Sequence, residues 1–306
     1  MRGTHGEKIV AAIESEKMPA VDVERLKEAL KVYDKWVETL NTIDAETLPE
    51  LVILLVDQLN KYKFYIDVDL IFDSTEDFLY RQKGQLKLDN TVIEEFLPIF
   101  VARCINKQFG KCDMNISSQT PTFSSAYFAS SISNPEIGGG ISIKTKDQDF
   151  SMSRPLYIMS SYDPNFSERQ TARLTTYLGY ILAELKTNLD KTMYQEASAT
   201  AHDVKQAVTG AKYYLLCDYL DMTPISTATT DIDEILITRK AKRISSNIRK
   251  DYSTYAGRQK RREEYISYLK EHPYSADVFQ RFIEHIISQM QNEDLIEESV
   301  LDIGYF

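Results

Sequence analysis

The chain has 306 residues, 43% hydrophobic and 27% charged, with a formal net charge of −10, the balance of a globular protein. No apolar run reaches the ~18 residues of a membrane span. The densest, residues 51–56, stops at Asp57, and the first eight residues hold no hydrophobic signal core, so a cytoplasmic location is expected.

Residues 5–62 read as helices. Ile9, Ala12 and Ile13, then Leu26, Leu30, Tyr33, Val37 and Leu40, recur at helical spacing, and 45–62 continues the pattern. Pro19 and residues 41–44 interrupt it, with Thr42 or Asp44 as the expected cap of the third helix. Residues 64–72 alternate and are β-branched and aromatic, which predicts a short strand. Asn90 opens a further helix through Val92, Phe96, Ile99 and Phe100. Residues 1–109 therefore read as a mainly helical N-terminal region with no visible chemistry.

Residues 110–135, rich in Ser, Thr, Asn and Pro, read as a loop. Gly138, Gly139 and Gly140 lack the Gly-Lys-Ser/Thr ending of a phosphate-binding loop and read as a turn before a strand. Residues 141–146 and 150–159 alternate on either side of Asp147, Gln148 and Asp149, a hairpin signature. Pro155 places the second strand near an edge or bulge. The three cysteines, Cys104, Cys112 and Cys217, contain no CxxC and indicate neither a disulfide framework nor a zinc knuckle.

The stretch around Glu184 has two readings. As a strand, it points Glu184 and Lys186 to one side at the end of an apolar run. As a helix, it lines up Leu174, Tyr177, Leu178, Ile181, Leu182, Leu185 and Leu189, and separates Glu184 from Lys186 by ~200°. Periodicity leaves both open. A polar helix over 192–208 and a buried strand over 211–220 follow. The order hairpin, strand, helix, strand predicts an α/β (α+β) core over 110–230, flanked by helices.

Residues 231–306 form a basic, helical C-terminal region expected to pack on that core, with helices over 258–271 and 275–292 parted by Pro273. Between Arg239 and Arg262 stand ten Lys/Arg and one acid, Asp251, so the remainder is strongly acidic. A local basic face can hold nucleic-acid phosphates on an acidic body, and Arg239, Lys240, Lys242, Arg243, Arg249 and Lys250 are the candidates. A solvated helix face is the alternative.

In the strand reading, Glu184-x-Lys186 suits metal-assisted phosphodiester hydrolysis. The carboxylate takes a hard divalent cation and the ammonium stabilises charge or positions water. A second acid-x-Lys pair, Asp203 and Lys205, falls in a helical segment. His5, His202, His272 and His285 lack the paired spacing of a histidine metal site, and no Gly-x-Ser-x-Gly elbow is present.

Residues 184–193, Glu-Leu-Lys-Thr-Asn-Leu-Asp-Lys-Thr-Met, resemble the core of the PD-(D/E)XK nucleases. More closely, they resemble Type II restriction endonucleases of the Bpu/BbvCI kind, which cut asymmetric sites related to CCTNAGC. The likeness extends through 147–158, 195–205, 210–224, 230–234 and 239–243, covers roughly 135–290, and omits the N-terminal helices. It implies a mixed sheet with a first carboxylate at the start of one strand and the Glu-x-Lys pair on the next. Asp149 is the best match for that carboxylate, although Gln148 stands where the motif has proline. Asp163, with the more usual spacing to Glu184, is the rival, and Asp147 is third.

What the resemblance implies is a Mg²⁺-dependent, site-specific deoxyribonuclease. Asp149 and Glu184 would hold Mg²⁺ against double-stranded DNA, Lys186 would assist, and a related, non-identical subunit would complete a heterodimer. A PD-(D/E)XK nuclease of repair or defence without sequence specificity, and a non-enzymatic nucleic-acid-binding protein with 174–189 as a helix, are the alternatives.

Overall fold

The computed structural model describes residues 2–291 together with 297, 301, 302 and 304. The chain begins with helices α1 (Thr4–Ile13), α2 (Ala20–Thr42) and α3 (Leu48–Phe64), then a π-helix (Tyr65–Phe72), α4 (Asp77–Gln82) and α5 (Thr91–Phe109). Neither Thr42 nor Asp44 caps α3. Thr47 does so, in a reciprocal capping box with Glu50, which satisfies two otherwise orphaned backbone donors.

The strand expected over 64–72 is instead the π-helix, continuing α3 without a break. Ile66, Val68, Leu70, Ile71 and Phe72 are all buried, and so is Asp67, paired with Lys63, so the alternation of the sequence does not mark one covered and one exposed face. Its carbonyls are taken by arginines from elsewhere, Arg25 at Leu70 (2.9 Å) and Arg258 at Phe72 (2.9 Å). The buried His5 ring ties α1 to the bundle through Thr91 Oγ1 and Tyr62 Oη, each at 2.9 Å.

Seven strands form one curled mixed sheet: β1 (Asn115–Ser117), β2 (Thr120–Phe128), β3 (Ile141–Gln148), β4 (Phe150–Ser161), β5 (Thr171–Leu189), β6 (Lys212–Leu220) and β7 (Glu234–Lys242). Two expectations are corrected here. The 110–135 region is not all loop: it contains β1 and β2, whose Ser/Thr-rich, half-exposed sequence hides them. Nor do β3 and β4 form a hairpin. They are successive lengths of one bent path, and their partner is β1 followed by β2, in one antiparallel register from Asn115↔Ser153 through Ser117↔Ser151 and Thr120↔Gln148 to Phe123↔Thr145, with a bulge before Ser125 that shifts the rest by one residue to Phe128↔Ile141. Asp149 sits at the corner of that path, opposite Gln119, whose φ of 54° lies in the left-handed region. A non-glycine residue there stores local backbone strain. The Gly138–Gly140 turn lies where it was expected, in a short 3₁₀ segment just before β3.

Strand β5 is the spine. It pairs antiparallel with β4 from Thr171↔Ser161 to Ala183↔Phe150, touches β2 in parallel at Tyr177↔Thr122, and runs parallel to β6 from Ile181 to Leu189. β7 lies parallel to β6. Helix α6 (Lys191–Ala207), capped by Asp190, makes the β5–β6 crossover. Its Tyr194, Ala197 and Ala201 pack on Leu182, Tyr213 and Leu215. The opposite face of the sheet, with Ile181, Ala183, Tyr214 and Leu216, packs on α3, α5 and α10 (Ala276–Gln291) through residues such as Phe100 and Phe282. Burial on both faces gave β5 its helix-like periodicity. The expected end of the last helix at 292 lies outside the described residues.

The core is continuous across the segments 1–109, 110–230 and 231–306, and β7 belongs to the sheet. Short helices α7 (Ser246–Asp251), α8 (Tyr255–Lys260) and α9 (Arg262–Glu271) complete the fold. Among the described residues no helix is long and apolar enough to cross a membrane, and all three cysteines are free.

Arg258, fully buried, joins the end of the π-helix to the C-terminal helices. It donates to the carbonyls of Phe72, Ser74, Glu76 and Tyr252 at 2.8–3.0 Å. Arg258→Met is expected to cost about 3–5 kcal/mol in urea unfolding, because it strands those acceptors. Arg258→Lys should not restore the loss, since one ammonium cannot span them. A loss under about 1 kcal/mol would refute this role.

Candidate active site

Beyond Ala183, β5 has no antiparallel neighbour, because β4 begins at Phe150. The Asp149 side chain takes over the ladder. Its Oδ2 accepts the Leu185 amide at 2.8 Å, which anchors the carboxylate at the strand edge between Glu184 and Lys186. Those two residues share one face, with Lys186 Nζ 2.5 Å from Glu184 Oε1. The geometry is that of the strand reading. The other oxygen of Glu184 accepts the Tyr213 hydroxyl at 2.8 Å from β6.

The edge opens into a cleft of about 450 Å³ whose lining includes Lys83, Lys87, Glu94, Asp149, Lys186 and Arg243. Glu184 lies on the α6 side of the strand and reaches this edge through its pairing with Lys186. Glu94, from the first turn of α5, faces the cleft from the helical layer and accepts Gln119 Nε2 at 3.4 Å. The strained corner residue Gln119 thus links Glu94 to the segment opposite Asp149.

Burial pushes Asp149 above the usual carboxylate range, against the Leu185 hydrogen bond that favours its charge, and Glu184 pushes it further. Burial likewise raises Glu94, with Asp149 adding to the rise. Burial alone would lower Lys186, but Glu184 and then Asp149 outweigh it and hold the ammonium protonated. Across the cleft, burial would raise Asp89, but Lys83, 2.8 Å away, and Lys63 bring it down to about 2.

Among the described residues no three His, Cys, Asp or Glu side chains form a ready-made metal cage. The arrangement fits Mg²⁺ better than a cage-bound ion, because Mg²⁺ is held by one or two carboxylates with water and phosphate oxygens completing its shell. Asp149 raised by the neighbouring Glu184 charge, and Glu94 raised by Asp149, are groups whose repulsion a cation would relieve.

Asp163 does not join this group. It lies in the exposed β4–β5 turn, at the far end of the β4–β5 ladder and roughly 35 Å along it at ~3.3 Å per residue. The Ser167 hydroxyl, and the amides of Asn165 (3.0 Å) and Ser167 (3.1 Å), donate to its oxygens and hold it below the usual range. Asp147 is exposed on β3, opposite Pro121.

The basic window is not one face. Arg239 is buried, stacked 3.9 Å over the Tyr274 ring and donating to the His272 carbonyl, so it points away from any phosphate outside. Lys240 pairs with Asp277, and Arg261 and Arg262 are also ion-paired. Lys242 and Lys250 are exposed. Arg243 donates to Asn188 at 2.9 Å and reaches the cleft, and Arg249 donates to the Ile244 carbonyl.

Sequence reasoning missed Glu94, Tyr213 and the lysines of the α4–α5 turn. Glu94 had one available signal, adjacent carboxylates inside an apolar helix. Tyr213 had none, because its meeting with Glu184 depends on the β5–β6 register.

A family model described as Bpu10I restriction endonuclease matches residues 85–306. No curated protein matches the chain. A solved structure, native BbvCI A2B2 tetramer at low resolution, is similar at 15% identity and a TM-score of 0.41, over 90% of this chain and 99% of that one.

Tyr213→Phe removes only the hydroxyl that holds Glu184. It is expected to weaken Mg²⁺ or Mn²⁺ binding about 10–100-fold by calorimetry, with little change in thermal stability. Unchanged metal affinity would detach Tyr213 from the site.

Proposed function

Because the chain belongs to the Bpu10I restriction endonuclease family, we propose that it is a Type II restriction endonuclease subunit of PD-(D/E)XK type that hydrolyses double-stranded DNA at a short specific site with Mg²⁺. The observation that carries this reading is the Leu185–Asp149 bond, which sets a carboxylate beside the Glu184–Lys186 pair at an open strand edge.

Asp149 and Glu184 would hold the cation, and Glu94 adds negative charge from the opposite wall. Mg²⁺ bound there supplies a Lewis acid for the scissile phosphate. Tyr213 fixes the Glu184 carboxylate, so that no reorganisation is needed when the phosphate arrives. Lys186, kept protonated by its surroundings, acts as a hydrogen-bond donor and not as a base. It orients the attacking water or stabilises the charge that builds on the phosphoryl oxygens. Lys242, Arg243, Arg249 and Lys250 contact the DNA backbone on the C-terminal side of the cleft, and Lys83 and Lys87 line it on the helical side.

One such site cuts one strand. A double-strand break at an asymmetric sequence needs a second centre, which we assign to a related, non-identical subunit. Glu184 and Lys186 share a face, which argues against the non-enzymatic helical reading.

The test is a supercoiled plasmid carrying CCTNAGC-type sites, with Mg²⁺ or chelator, for wild type and Glu184→Ala, each alone and with a partner subunit. Discrete Mg²⁺-dependent nicking or linearisation is expected, reduced at least about 100-fold in the variant. Equal activity would remove Glu184 from the site, and cuts spread over the plasmid would replace this reading with a non-specific nuclease. Glu94→Gln is expected to raise the Mg²⁺ needed for half-maximal cleavage while leaving some activity. An unchanged Mg²⁺ requirement would place Glu94 outside the site.

A further inference from the structure

The guanidinium that lines the cleft has no counter-ion. Arg243 follows the end of β7 and is half-buried. Among the described residues it forms no ion pair, and its hydrogen bond runs from Nη1 to the neutral Asn188 Oδ1 at 2.9 Å. Its Nε and Nη2 have no partner there, and neither is sealed from solvent. These two nitrogens form the edge of the fork that can donate to two phosphate oxygens at once.

A second guanidinium makes the vacancy of charge sharper. Arg249 also donates only to a neutral oxygen, the Ile244 carbonyl. Burial, and then the charge of Arg249, push Arg243 below the usual guanidinium value, and Asp221, Tyr80 and Asp89 oppose this only from a distance. Asp89 is itself paired with Lys83. Like charges in a partly buried place are unfavourable without an anion, and one supplied from outside the chain relieves them.

The anchor narrows which anion this is. Asn188 is 6% exposed and stands on β5, two residues beyond Lys186. Arg243 is therefore tied to the strand that carries the Glu184–Lys186 pair, and not to a surface loop. Two strand residues span ~6.6 Å, close to the length of one nucleotide of DNA backbone. Lys186, Asn188 and Arg243 line the same cleft. A backbone that sets its scissile phosphate at Lys186 brings a neighbouring phosphate to Arg243.

We propose that Arg243 grips the phosphate next to the scissile one, on the strand this chain cuts, and that Asn188 is the positioning residue that aims it there. The proposal rests on the endonuclease reading above and names the backbone step that this arginine holds. A phosphate fixed one nucleotide away sets the angle and register at which the scissile phosphate meets the carboxylates.

The experiment uses a duplex with a CCTNAGC-type site, with any partner subunit that cleavage requires. The strand this chain cuts is the one that Glu184→Ala leaves intact. Each phosphate on either side of the cut, on one strand and then the other, is replaced in turn by a neutral methylphosphonate. Single-turnover cleavage in Mg²⁺ and binding in Ca²⁺ are followed. Arg243→Met is expected to slow cleavage of the native duplex about 10–100-fold. A methylphosphonate next to the cut should slow wild type by a similar factor, and the variant by no further than about twofold, because both remove one contact. At the other phosphates the two losses should multiply. Asn188→Ala keeps the Arg243 charge, so binding should hold within about threefold while cleavage slows about tenfold. Losses that multiply at every position, or that merge only at a distant phosphate or on the opposite strand, would overturn the assignment and spare the endonuclease. So would a wild type indifferent to both phosphates flanking the cut, a result that needs no variant to fold. Asn188→Ala that loses binding and rate alike, or neither, would remove Asn188 from the role. A chain that cuts no duplex with any partner would sink the endonuclease reading itself.

Discussion

The hydrogen bond from the Leu185 amide to the Asp149 carboxylate decides the shape of the site. The β4–β5 ladder ends at Phe150↔Ala183. One step further, a backbone carbonyl would close the edge of β5, and no cleft would exist there. Because the path from β3 to β4 turns its corner at Asp149, a side chain makes that bond instead. The substitution fixes the carboxylate to the rigid spine of the sheet and leaves Glu184 and Lys186 on either side of the same amide. It also explains the left-handed backbone at Gln119, which must follow the corner from the opposite strand. The strain is local, and the continuous register on both sides of it holds it in place.

The helical layer is a wall of the site as well as a scaffold. Glu94 projects from the first turn of α5, and Lys83, Lys87 and Asp89 come from the turn just before it. Their positions depend on contacts far away in sequence. His5, kept neutral because burial drives its pKa down to about 3, fixes α1 against Thr91 at the start of α5. Arg258 ties the end of the π-helix to α7 and α8. A shift of this layer against the sheet would change the distance from Glu94 to Asp149 directly, since no strand intervenes.

The sequence could reveal side-chain chemistry on a spine strand more readily than the company that chemistry keeps. The Glu184-x-Lys186 spacing was visible, but its secondary structure was not, because a strand buried on both faces loses its alternation. The helices were legible wherever one face met water, as in α2 and α10. The π-helix was not, because its alternating sequence mimics a strand while its charged Asp67 is buried against Lys63. Strand β2 was missed because most of its Thr and Ser side chains line a curl with little apolar surface, so no hydrophobic pattern marks it. Asp149 could be picked out beside an alternating run, but the same run suggested a hairpin that the register refutes. In the basic window, count alone could not distinguish Lys250, which is exposed, from Arg239 and Arg258, which are structural.

The charge distribution has a consequence for how an acidic chain would engage DNA. Among the described residues lining the cleft, Lys87 and Arg243 carry no ion pair, while Asp149 and Glu94 place negative charge at its floor beside Lys186, which is paired with Glu184. Without a cation, that floor repels the phosphate that the rim attracts. A divalent ion held there, as proposed, would reverse the sign at the floor, and a phosphodiester would in turn offer it oxygen ligands. In that reading each ligand would strengthen the seat of the other, and linkage would require the effect to be equal in both directions. The rim alone would set a salt-dependent, sequence-blind affinity. Coupling between the two seats lets the proposed cut await DNA and metal together, which holding the carboxylates rigidly on a sheet edge makes possible.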